Sequence, residues 1–155
     1  MQNSSMKTLL LLLTMSILTA ACEKDETTVD EYFYFGTSHG MCANDCAKFY
    51  QLTDGKVYAD NVTRYNGKVT FQSTPLADSA YQMAVNIQKN FPEYLGNRPD
   101  TTFGCPDCAD QGAIHIERKR NGVVQTWHID TNSNNQPAEI RGYIIELLAT
   151  MARLP

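Results

Sequence analysis

The chain has 155 residues, 43 % of them hydrophobic and 19 % charged, with a formal net charge of −4. That is enough for one domain with a real core and too little for two. The acidic balance argues against nucleic acid and against adhesion to anionic lipid through a basic patch, because both depend on clustered Lys and Arg.

Taken in chain order, the first feature is an apolar run, Leu9 to Leu13 and Met15 to Leu18, preceded by Lys7 and followed by Ala20, Ala21 and Cys22. A spanning helix needs roughly 20 apolar residues, so this shorter run reads as a secretory signal peptide over residues 1–21. Its removal leaves 134 residues, with 12 Lys and Arg against 17 Asp and Glu, for a net charge of −5. The segment Leu18-Thr19-Ala20-Ala21-Cys22 resembles the lipobox of bacterial lipoproteins. The resemblance implies an acylated Cys22 as the first mature residue and the lipid bilayer as its first partner. Several acyl chains anchor stably, since each buried CH₂ contributes about 0.8 kcal/mol and a single chain holds only reversibly. Residues 22–31 then form a charged, Thr-rich tether that cannot bury enough surface to order itself. Its Glu23-Lys24-Asp25-Glu26 is similar to signals that route Bacteroidota lipoproteins to the outer face of the outer membrane. The implied address is the outer membrane and surface-exposed, with a periplasm-facing orientation as the alternative.

The globular part is expected over residues 32–155. Tyr32 to Phe35 is an aromatic run with strand propensity on both faces, which suits a strand in mid-sheet. Lys48 to Leu52 and Lys56 to Ala59 flank Asp54-Gly55, a strong two-residue turn signal. Asn66-Gly67 marks another turn before an expected strand at Val69 to Gln72. Thr74-Pro75 predicts a helix start, and Leu76, Ala80, Met83, Ala84, Ile87 and Phe91 form an apolar stripe at helical spacing until Pro92. Glu93 to Gly112 reads as irregular. Ala113 to Lys119 and Val123 to Ile129 flank Asn121-Gly122 and make the clearest hairpin; its register would place Ile114 opposite Ile129, Ile116 opposite Trp127, and His115 opposite His128 on the outer side. Arg118-Lys119-Arg120 then reads as a solvated hairpin tip. Pro137 opens a helix with Ile140, Tyr143, Ile144, Leu147, Leu148 and Met151 on one side. The order strands, helix, strands, helix predicts an α+β fold, an antiparallel sheet of five to six strands with two helices on one face.

With Cys22 assigned to lipid, Cys42, Cys46, Cys105 and Cys108 remain, an even number in an exported chain, for which disulfides are the default. Three connectivities are open. A bridge closing four or five residues stabilises by roughly 2 kcal/mol, and one spanning some 60 residues by about 4 kcal/mol. The segments F-G-T-S-H-G-M-C-A-N-D-C and G-C-P-D-C-A-D-Q-G-A resemble a Bacteroidota family of outer-membrane and surface lipoproteins with this Cys-x3-Cys and Cys-Pro-Asp-Cys layout. The resemblance covers most of the mature chain and implies an address and a fold, with no particular activity. Local pairs are the expectation taken forward.

Two sharper readings compete with structural bridges. Cys105-Pro106-Asp107-Cys108 has the spacing of thiol-disulfide oxidoreductases, but no strand-then-helix unit surrounds it. The four thiolates, with His39 nearby, also fit zinc spacing. His115 and His128, with Glu117 two residues along, are weak metal candidates, because facing residues on an antiparallel ladder lie about 5 Å apart at Cβ. Asp107 and Asp110 are read as turn caps. No residue is assigned a catalytic role and no cofactor is expected. The sequence thus favours a non-enzymatic envelope module that binds a protein or small-molecule partner, over an envelope thiol-disulfide enzyme or a metal-binding lipoprotein.

Overall fold

A computed structural model describes residues 31–155; the expected leader, the expected lipidation at Cys22 and the expected tether through residue 30 lie outside the described residues. The fold is α+β. Six strands, β1 (Tyr32–Ser38), β2 (Ala47–Thr53), β3 (Lys56–Ala59), β4 (Thr101–Phe103), β5 (Ala113–Arg120) and β6 (Val123–Asp130), form one sheet in the order β3-β2-β1-β5-β6-β4. The helices are α1 (Asp78–Lys89), the single turn α2 (Glu93–Gly96) and α3 (Ala138–Met151). No helix among the described residues is long and apolar enough to cross a membrane.

β1 lies in mid-sheet, antiparallel to both β2 and β5. Alternation sends Phe33 and Phe35 to one face, where they join Tyr50, Leu52, Val57, Ile114, Ile116, Trp127 and Ile129 in a single buried cluster. Helices α1 and α3 close that cluster with Ala80, Ala84, Ile87, Ile140, Tyr143, Ile144 and Leu147. Each fully buried aliphatic side chain contributes about 1.5–3 kcal/mol, so this face carries most of the stability. The two hairpin turns have the backbone their residues ask for: Asp54 and Gly55 have φ of 50° and 69°, and Asn121 and Gly122 have 52° and 77°, the type I′ signature. The β5–β6 register pairs Ile114 with Ile129, His115 with His128 and Ile116 with Trp127, as the turn predicts.

Four expectations need correction. The sheet is mixed, because β4 runs parallel to β6 along its outer edge. The Trp127 indole N–H donates to the carbonyls of Leu95 at 3.0 Å and Arg98 at 2.8 Å, holding the end of α2 over the sheet so that the chain re-enters beside β6. The stretch Glu93 to Gly112 is therefore not wholly irregular, and three helices replace two. Val69 to Gln72 forms no strand; only Phe71 bridges to Asp60, since the Asp60 carboxylate takes the amides of Phe49 and Val62 and turns the chain away. The first helix starts at Asp78 instead of after Thr74, because the Leu76 amide donates to the Val57 carbonyl of β3 at 2.8 Å and holds that segment extended. Pro137 opens the last helix as its extended N-cap, at φ −56° and ψ 141°, with its carbonyl accepting the Ile140 amide at 3.2 Å.

Candidate functional site

All four cysteines of the described region are in local bridges, Cys42–Cys46 and Cys105–Cys108, each with its Cα atoms 5.5 Å apart. The sulfurs are consequently not thiolates, which removes the donor set that a four-thiolate zinc site requires. Both bridges sit on loops at the same end of the sheet, because β1 ends at Ser38 opposite Ala47 and Ala113. Asp107 ties the loops together. Its carboxylate accepts the amide of Gly112 at 3.0 Å within its own loop and the amide of Gly40 at 2.7 Å in the other. The turn-capping role expected of Asp107 is present, and a second role across the fold accompanies it. On the other side of the Cys105 loop, Asp130 is fully buried and accepts from the amides of Cys105 at 3.0 Å and Asn132 at 2.8 Å, and from the side chains of Asn135 at 2.7 Å and Gln111 at 3.2 Å. Burial alone would raise this carboxyl, but the Asn132 amide, the Asn135 side chain, the Cys105 amide and the Gln111 side chain bring it down to about 2. Sequence reading passed over Asp130; the signal was Asp-x-Asn at the end of a strand, a pattern for an Asx turn.

The second face of the sheet bears His115, His128, Glu117, Tyr34 and Phe49. Here a loop takes the place of helices: Thr63 accepts from the Cys46 amide at 2.8 Å, Tyr65 lays its ring 4.3 Å from that of His115, and Phe71 packs 5.9 Å from Tyr34. Gly36 lies between Phe49 and His115 in the register, and a Cβ there would collide with the Phe49 ring and the Lys48 carbonyl. His115 is in consequence buried, at 6 % exposure, contrary to the solvated face expected for it. Burial, with the neighbouring His128, lowers its basicity to about 4, against a smaller opposing pull from Asp107. Its ring is 4.9 Å from that of His128, as the register requires. Glu117 does not join them, for its carboxylate accepts the hydroxyls of Tyr32 at 2.6 Å and Tyr34 at 2.9 Å. Among the described residues no group of three His, Cys, Asp or Glu is arranged to hold a metal.

A motif overlooked in the sequence lies beside this pair. Gly36-Thr37-Ser38-His39-Gly40 has the G-x-S-x-G spacing of serine hydrolases, and Ser38 Oγ is 2.7 Å from His115 Nε2. The rest of a nucleophile site does not follow. Ser38 is a buried residue in a regular strand and not on a strained turn. The amides of His39 and Gly40, which could stabilise an oxyanion, donate to Cys46 and Asp107, and His115 Nδ1 has no partner to orient it. The hydrogen bond satisfies two buried polar groups. The basic tip also differs from expectation: Arg118 is half-buried, stacked 4.8 Å from Phe91 and 5.4 Å from Trp127.

Comparison of the sequence with protein-family models and with curated proteins gives no match.

Proposed function

We propose that this chain is an exported, non-enzymatic binding module, tethered to the outer membrane through an acylated Cys22, which meets a protein or small-molecule partner with its disulfide-braced loops. The observation that carries the reading is the junction of the two braced loops through Asp107. Covalent closure and that shared carboxylate hold the loops in one arrangement before any partner arrives, which lowers the ordering cost of binding. The tether enters the sheet at β1, and seven strand residues, about 20 Å, separate that entry from the loops. Met41 stands 77 % exposed among these loops.

A thiol-disulfide enzyme would need a nucleophilic cysteine stabilised by positive potential, usually a helix N-terminus. Cys105 instead opens a turn, with its amide on the Asp130 carboxylate and two further aspartates in the loop. Mass spectrometry of the envelope protein should find residue 22 as the amino terminus with acyl mass on Cys22, and cross-linking in intact envelopes should capture a partner through the Met41 loop. A fluorophosphonate probe should leave Ser38 unlabelled. Turnover of a disulfide substrate, or labelling of Ser38, would sink the non-enzymatic reading; an intact leader would sink the anchored one.

A further inference from the structure

At the opposite end of the sheet from the disulfides, on the helix side, lies a cleft of about 390 Å³ between the start of β1, the Asp54-Gly55 turn, α1 and the β5–β6 hairpin. Its lining includes the half-buried rings of Tyr81 and Phe91 beside the buried Phe33 and Leu52, and carries Arg118, with the exposed Arg120 at the mouth. Volumes of this order suit small organic ligands. The Arg118 guanidinium is fixed in advance: Nε and Nη2 donate to Gln125 Oε1 at 3.0 and 2.7 Å, and its Cζ lies 4.8 and 5.4 Å from the ring centres of Phe91 and Trp127. None of these partners is a carboxylate. Burial and the neighbouring Arg120 both disfavour the charge on Arg118. Among the described residues, this half-buried cation is oriented, crowded by a second cation and matched only with a neutral amide and rings, and so is incompletely compensated. The acidic residues of the cleft, Glu31 and Asp54, are exposed at its rim, and Glu31 accepts the Asn121 amide at 3.2 Å.

We propose that this cleft binds an organic anion with an apolar body, the acid group held by Arg118 and Arg120 and the apolar part laid on a floor of Tyr81 and Phe91. The guanidinium fork suits a carboxylate, sulfonate or phosphate group, and the floor suits a ring or a short acyl chain. The site is separate from the disulfide end, so its failure would leave the preceding reading intact.

The probe is 8-anilinonaphthalene-1-sulfonate, titrated by fluorescence against the full chain and its variants side by side. The neutral analogue N-phenyl-1-naphthylamine supplies the same rings without the acid. The expected result is saturable one-to-one binding of the sulfonate, about ten-fold weaker binding of the neutral analogue, and a loss of about ten-fold in each of Arg118→Gln and Arg120→Gln, the effect of one charge-assisted contact. Lys68→Gln, remote from the cleft, should bind as the parent does. Because Arg118 also packs on the core, its variant is compared by circular dichroism and unfolding midpoint; Arg120 is exposed, and Arg120→Gln tests the site without that complication. Absence of saturable binding, equal affinity for the neutral analogue, or parent-like binding by Arg120→Gln would overturn the proposal.

Discussion

His115 and Asp130 each set a pH limit on the fold. His115 is neutral in the folded chain, with its pKa lowered to about 4 from 6.5. As pH falls, the unfolded state takes up this proton first, so stability present above about pH 6.5 drains away until about pH 4. The loss is on the order of 3 kcal/mol. Asp130, held at about 2, contributes stability that is complete above about pH 4 and lost as pH drops towards 2. Urea unfolding at a series of pH values should show both limbs, and His115→Gln should flatten the upper one. A parent protein equally stable at pH 7 and pH 4 would contradict the burial of His115. Asp130→Asn keeps one accepting oxygen but turns its N–H₂ towards two of the four N–H donors, and should cost about 2–4 kcal/mol, read as a lowered melting temperature. The sequence placed His115 opposite His128 because a two-residue turn sets register locally. It could not show His115 buried, because the covering ring, Tyr65, comes from a loop on the far side of α1.

Among the elements, the hairpins and the two long helices were legible and the margins were not. Turn residues and 3.6-residue periodicity act over a few positions, whereas β4 has only three residues, Thr-Thr-Phe, too few for any pattern, and its parallel pairing depends on Trp127. Two glycines separate local from tertiary demands. Gly122 has φ +77° with open space around it, so Gly122→Ala should cost only the backbone strain, about 1 kcal/mol. Gly36 is needed because Phe49 lies across it; Gly36→Ala should cost about 3 kcal/mol, the upper range for overpacking. Urea midpoints of the two variants give the comparison, and a Gly36→Ala protein as stable as Gly122→Ala would refute the packing of Phe49 on β1.

For the molecule as a whole, the disulfides are loop braces, and the hydrophobic cluster holds the two halves together. Each closes a loop of only four or five residues, so reduction should lower the unfolding free energy by about 2 kcal/mol per bridge and leave the circular dichroism spectrum native. Collapse of the fold on reduction would show that the bridges carry more than loop entropy. The α+β class, both type I′ turns, the β5–β6 register and the apolar faces of α1 and α3 were determined by the sequence alone, because each rests on residues close together in the chain. Strand order, the parallel edge β4, the burial of His115, the capture of Glu117 by Tyr32 and Tyr34, and the joining of the two cysteine loops through Asp107 were decided only by the tertiary structure. Each depends on groups distant in sequence meeting in space, and a local pattern carries no information about which distant partner will satisfy a buried polar group or cover an apolar face.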